Sequence, residues 1–174
     1  MTETDARVAF CVRTSRELGD HLYIWGGDSE GEGGMDCSGF ASTRMMWADK
    51  LWPGIYTGGR TTAAGLYRHY DGKGVPDIKR VDHLVPGALV FYRRYPSSKI
   101  YHVAIHICTV DGKHLDAGPF VEVGPMAIES GGSGSGSTTP RAALIASAGV
   151  RFTASDYHGR GLWVAKDPFS LLTF

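Results

Sequence analysis

Two short apolar runs set the terms for this chain. Ala88-Leu89-Val90-Phe91-Tyr92 follows a Pro86-Gly87 turn, and residues 100–110, rich in β-formers, follow a polar turn around Pro96-Ser97-Ser98. Joined by so brief a turn, the two read as an antiparallel hairpin. Residues 111–120 carry Asp-Gly and Gly-Pro turn signals, residues 121–128 supply a third strand, and 150–152 and 162–164 supply edge strands. An antiparallel sheet therefore fills the second half of the chain.

Helical periodicity belongs to the first half. Residues 4–18 sort Ala6, Ala9, Phe10, Arg13 and Glu17 onto apolar and polar faces, with Thr4 as cap and Gly19 as terminator. From Ser38 to Leu51, Phe40, Ala41, Met45, Trp47, Ala48 and Leu51 cover one broad face that Arg44 interrupts, and Trp52-Pro53-Gly54 ends the helix. A second short helix opens near Arg60 and reaches Tyr70. The expected class is α+β.

With 174 residues, 43% of them hydrophobic, the chain is expected to form a single domain over residues 1–174. The Gly/Ser-rich stretch 131–137 reads as a surface loop within it, because too few residues follow to build a second core. Eighteen Lys and Arg balance eighteen Asp and Glu, so no overall basic field draws the chain to nucleic acid or an anionic membrane. The apolar runs fall far short of the roughly 20 residues of a spanning helix, which excludes membrane insertion. Met1-Thr2-Glu3-Thr4-Asp5 is acidic where a secretory signal is basic, so synthesis in the cytoplasm without a signal peptide is expected. Cys11, Cys37 and Cys108 are odd in number and widely spaced, which fits neither a disulfide framework nor a CxxC zinc site.

One of these cysteines stands where thiol chemistry needs it. A glycine-rich approach ending at Gly34 leads into Met35-Asp36-Cys37-Ser38-Gly39-Phe40, which puts Cys37 at the start of the second helix. A thiol is a strong nucleophile only as thiolate, which a helix N-terminus and a nearby imidazole favour. His102 begins a strand, so His102, Ala104 and His106 share one side and Val103, Ile105 and Ile107 the other.

At these residues the chain resembles the NlpC-type cell-wall cysteine peptidases, papain-like hydrolases of peptidoglycan stem peptides. The likeness is carried, in family order, by Tyr23-Ile24-Trp25-Gly26-Gly27, Asp36-Cys37-Ser38-Gly39-Phe40, Arg60-Thr61-Thr62, Pro86-Gly87-Ala88-Leu89-Val90-Phe91 and His102-Val103-Ala104-Ile105. It implies a papain-like α+β fold in which the nucleophile helix packs on a central antiparallel sheet. It also implies that Cys37 attacks an amide carbonyl and that His102 is general base and then acid. Tyr23 matches the tyrosine that binds substrate or the developing oxyanion. Asp36 and Ser38 match positions that hold the stem peptide, the acid by attracting a free amine. No cofactor or metal is called for. In the family the residue that orients the histidine lies about a dozen positions after it, which points to His114 or Asp116. Pairing Asp116 with His102 would centre the turn near Thr109, inside a β-branched run, whereas pairing Glu129 or its neighbour with His102 centres it near Asp116, among turn signals. Glu129 is the favoured orienter, and the region after it looks like that of phage-encoded members.

Blander readings stand beside these. His102 and His106 with Asp116 or His114 would make a zinc site. Cys11 and Cys108 read as core, Trp25, Trp47 and Trp163 as core or pocket wall, and Arg60 as a brace of the site or a surface ion pair. The resemblance implies a wall enzyme acting after lysis, virion delivery or secretion, with a virion tail or delivery machinery as partner. The competing functions are a non-catalytic virion structural or assembly module, and a thiol amidase or acyltransferase on a non-wall substrate.

Overall fold

The computed structural model describes residues 1–16, 21–29, 33–96, 98–107, 126–131, 138–145, 148–154 and 162–174. Along the chain these form α1 (Glu3–Ser15), β1 (Asp28–Ser29), β2 (Gly34–Met35), α2 (Cys37–Leu51), α3 (Ala63–Gly72), β3 (Leu89–Arg93), β4 (His102–His106), β5 (Met126–Gly131), α4 (Pro140–Ile145), β6 (Gly149–Ala154) and β7 (Leu162–Lys166). Five strands make one antiparallel sheet in the order β6-β5-β4-β3-β7. The expected hairpin is its centre, with Leu89 opposite Ile105 and Tyr92 opposite His102. This is the α+β, papain-like arrangement.

Strand alternation divides the core. Leu89, Phe91, Val103, Ile105, Ile128 and Val164 point to one face, where α2 lays Phe40, Ala41, Met45 and Ala48 against them. Val90, Tyr92, Ala104, Ala127 and Ala165 form a smaller cluster on the other face. Ala41 and Ala48 have no bulk to hold the helix off the sheet, while each fully buried aromatic such as Phe40 or Phe91 contributes about 1.5–3 kcal/mol. The helix that begins with Cys37 is thereby fixed along its length.

Several boundaries differ from the sequence expectations. The first helix begins at Glu3, one residue early, because Thr2 rather than Thr4 caps it: Thr2 accepts the Asp5 N–H at 3.2 Å and its own N–H donates to Asp5 at 2.8 Å, a reciprocal box. Gly19 lies outside the described residues. The third helix begins at Ala63, where the Thr62 hydroxyl accepts the Gly65 N–H at 3.1 Å, so Arg60 is left in the bend before it. The strand expected over 100–110 is described as β4, His102–His106, and residues 108–110 and 121–125 lie outside the described residues.

Both rims of the sheet are met by loops. At β6, Tyr23 N–H donates to Ala148 O at 3.0 Å and Val150 N–H to His21 O at 3.1 Å; at β7, Ile78 and Ala165 exchange two backbone bonds of 2.8 Å. Arg7 ties the first helix to the end of the chain, donating to Pro86 O at 2.9 Å and to both oxygens of Asp167 at 2.9 and 2.7 Å.

Candidate active site

The site is built around the first turn of α2. Asp36 is its N-cap, with Oδ1 accepting from Gly39 N–H at 2.7 Å and from the Ser38 hydroxyl at 2.8 Å. Oδ2 accepts from Gly26 N–H at 3.1 Å and from Arg60 Nη2 at 2.9 Å, and Arg60 Nη1 also reaches Ser38 Oγ at 3.3 Å. Arg60 is therefore a brace of the helix start. The approach is tight enough to require glycine: a Cβ on Gly34 would stand 2.2 Å from Leu22 O, and one on Gly27 would stand 2.5 Å from Gly34 O. That close passage sets Tyr23 beside the segment leading to Cys37.

His102, the first residue of β4, brings its ring near enough to the Cys37 thiol for the two to interact electrostatically. On the other side His102 Nε2 lies 2.6 Å from Glu129 Oε2 on β5. Nε2 is thus engaged by the carboxylate, which leaves Nδ1 for the thiol. Burial works against the charged imidazole, but the Cys37 sulfur and the Glu129 carboxylate outweigh it and hold His102 up to about 9. Glu129 is 0% exposed and also accepts from Arg151 Nε on β6 at 3.2 Å. The next residue, Ser130, donates to Met35 O at 2.6 Å, joining the strand of Glu129 to the segment that enters α2.

Tyr23 is buried close to Cys37, Asp36 and Glu129. Burial first, then the charges of those three groups, push its phenol well above the ordinary value, so it stays an O–H donor. Of the site residues expected from the sequence, the structure brings Cys37, His102 and Glu129 together, with His102 hydrogen-bonded to Glu129, Tyr23 adjoins them, and Asp36 and Ser38 form the helix start. His114, Asp116, Cys108 and residues 132–137 lie outside the described residues. Arg151 was not singled out by the sequence. Among the described residues, no group of three or more His, Cys, Asp or Glu is arranged to hold a metal ion, and no helix is long and apolar enough to cross a membrane. Cys11 is buried core, Trp47 and Trp163 are half-buried against the two clusters, and Trp25, expected as core or pocket wall, is not core: it stands 55% exposed.

The family model described as NlpC/P60 family matches residues 20–131, more than half of the chain. The chain belongs to the NlpC/P60 family. Members of the NlpC/P60 family are in general cysteine peptidases that act on peptidoglycan. Solved structures share the fold. NlpC2 from Trichomonas vaginalis superposes with a TM-score of 0.57 at 12% identity, covering 97% of this chain and 47% of that one. NlpC1 from the same organism gives 0.54 at 14% identity, with coverages of 94% and 45%. This NlpC/P60 chain therefore spans less than half the length of either. Among curated proteins, none matches it.

Proposed function

We propose that this chain is a cysteine peptidase that hydrolyses an amide bond in the peptide stems of bacterial peptidoglycan. The observation that carries the reading is the grouping of Cys37, His102 and Glu129, in which an imidazole beside a thiol is held through Nε2 by a buried carboxylate 2.6 Å away. With Nε2–H donated to Glu129, the thiol proton rests on Nδ1 as part of an imidazolium, and the thiolate attacks the carbonyl carbon. The carbonyl oxygen becomes an oxyanion, for which the Tyr23 hydroxyl and the Cys37 N–H at the helix start are the donors. As the C–N bond breaks, the imidazolium returns its proton to the leaving amine. The resulting thioester is cleaved by water, whose proton goes to His102, and the thiol is restored as the acid leaves.

Asp36 and Ser38 border the approach to the sulfur. Their proposed hold on the stem peptide works beside the internal bonds that fix the helix start. The bond cut, between D-glutamate and the diamino acid, is proposed from the family resemblance. Digestion of purified peptidoglycan, read by mass spectrometry of the released fragments, tests the whole scheme. New amine and carboxylate ends are expected from the native chain and loss of at least about 10³-fold in rate from Cys37→Ala. Activity that persisted in that variant would end the thiol mechanism.

A further inference from the structure

We propose that Arg151 is a positioning residue for this reaction: its guanidinium keeps Glu129 charged and turned so that the carboxylate's second oxygen meets His102. The inference rests on the thiol reading above and addresses what holds a fully buried carboxylate in its anionic form. Out of water, a carboxylate stays charged only where donors or cations replace its hydration.

Strand register supplies them. Glu129 and Arg151 are Cα partners across β5 and β6, so their side chains leave the sheet on the same face. Arg151 Nε donates to Oε1 at 3.2 Å while Oε2 lies 2.6 Å from His102 Nε2. Each oxygen has its own partner, and the carboxylate cannot rotate without giving one up. Gly131 makes the contact possible. It lies two residues beyond Glu129, on the same face, and a Cβ there would stand 2.6 Å from Glu129 Oε1 and 2.8 Å from both Nε and Nη2 of Arg151. Any larger residue would occupy the path that the guanidinium takes to the carboxylate. Among the described residues, the titratable and charged groups around Glu129 are His102 on β4, Arg151 on β6 and Tyr23 from the segment bound to the β6 rim, with Cys37 of α2 beyond the imidazole.

The chemistry of the chain follows from this. Without Arg151, burial favours the protonated form of Glu129, and a protonated Glu129 no longer fixes Nε2–H. The thiol then loses its oriented base at the acid end of the pH range.

The test reads Cys37 alone and needs no wall substrate. Alkylation of the full chain by iodoacetamide, a neutral reagent, is followed against pH, with the modified cysteine assigned by peptide mass spectrometry. In Arg151→Ala the acid limb of the Cys37 profile is expected to move up by about one pH unit, which lowers the rate on that limb about tenfold. Arg151→Lys, which keeps a cation, is expected to recover most of the loss, and Gly131→Ala to shift the limb in the same direction as Arg151→Ala. An Arg151→Ala profile superimposable on the native one, or a lysine variant no better than alanine, overturns the role given to Arg151. If native Cys37 reacts no faster than the cysteine of an unstructured peptide, the thiol reading itself fails, and Arg151 falls with it.

Discussion

His102 binds its proton against the pull of its own burial. An unfolded histidine titrates near 6.5, and the folded one is held up to about 9 by Cys37 and Glu129. The folded-state value lies above the unfolded one, so the added stability is fully present below about 6.5 and is lost as pH rises through about 9. The same proton, which the leaving amine must receive, sets the alkaline limb of hydrolysis near 9, a property of the coupled pair. NMR titration of the ring checks this: in Cys37→Ala the midpoint is expected to fall by roughly one to two units, and a midpoint that stayed put would remove Cys37 as a cause. Cys37 and His102 are legible from the sequence because one opens an apolar-faced helix behind glycines and the other opens an alternating strand. Glu129 is legible only in part: the placement of the turn points to it, but Ile105 stands opposite Ile128, so Glu129 lies two positions off the expected pairing with His102 and meets it on the diagonal. Arg151 is not, because its tie to Glu129 exists only through register between β5 and β6, and no local pattern in the sequence encodes that register.

The start of α2 is the element on which the site depends most. Asp36 accepts four internal hydrogen bonds, two of them from the turn it caps. Asp36→Ala is expected to cost about 1–2 kcal/mol, from the lost cap and the loosened Arg60. Asp36→Asn, which keeps a side-chain acceptor for Gly39 N–H, should cost less than half of that. Urea unfolding of the two variants decides it, and equal losses would assign the effect to charge and not to capping. Existence and type of the principal elements were readable from period and punctuation. Their ends were less so, since the ends depend on which of several Thr or Asp side chains turns back onto the backbone. Thr2 prevails over Thr4 because Asp5, three residues on, returns its bond.

Across the whole molecule, the order of strands was the least readable feature. β3, β4, β5 and β6 lie side by side in chain order, but β7 returns to lie beside β3, a pairing between segments far apart in the chain. The family match ends at residue 131, so β6 and β7, two of the five strands, lie beyond it. Arg7 is what ties the leading helix to this late-arriving end. Arg7→Ala leaves Asp167 without its buried partner, and a loss of about 3 kcal/mol in unfolding free energy is expected while Cys37 keeps its alkylation profile. A changed profile would mean that the first helix shapes the site.

The loops that meet the two rims have one more effect. Strand borders with unused N–H and C=O groups are where a second molecule adds its own strand, and here backbone groups at Ala148, Val150 and Ala165 are already taken by neighbours from the same chain. At those positions the rim has no vacancy for a strand of another copy, so any such pairing has to start elsewhere along the two borders.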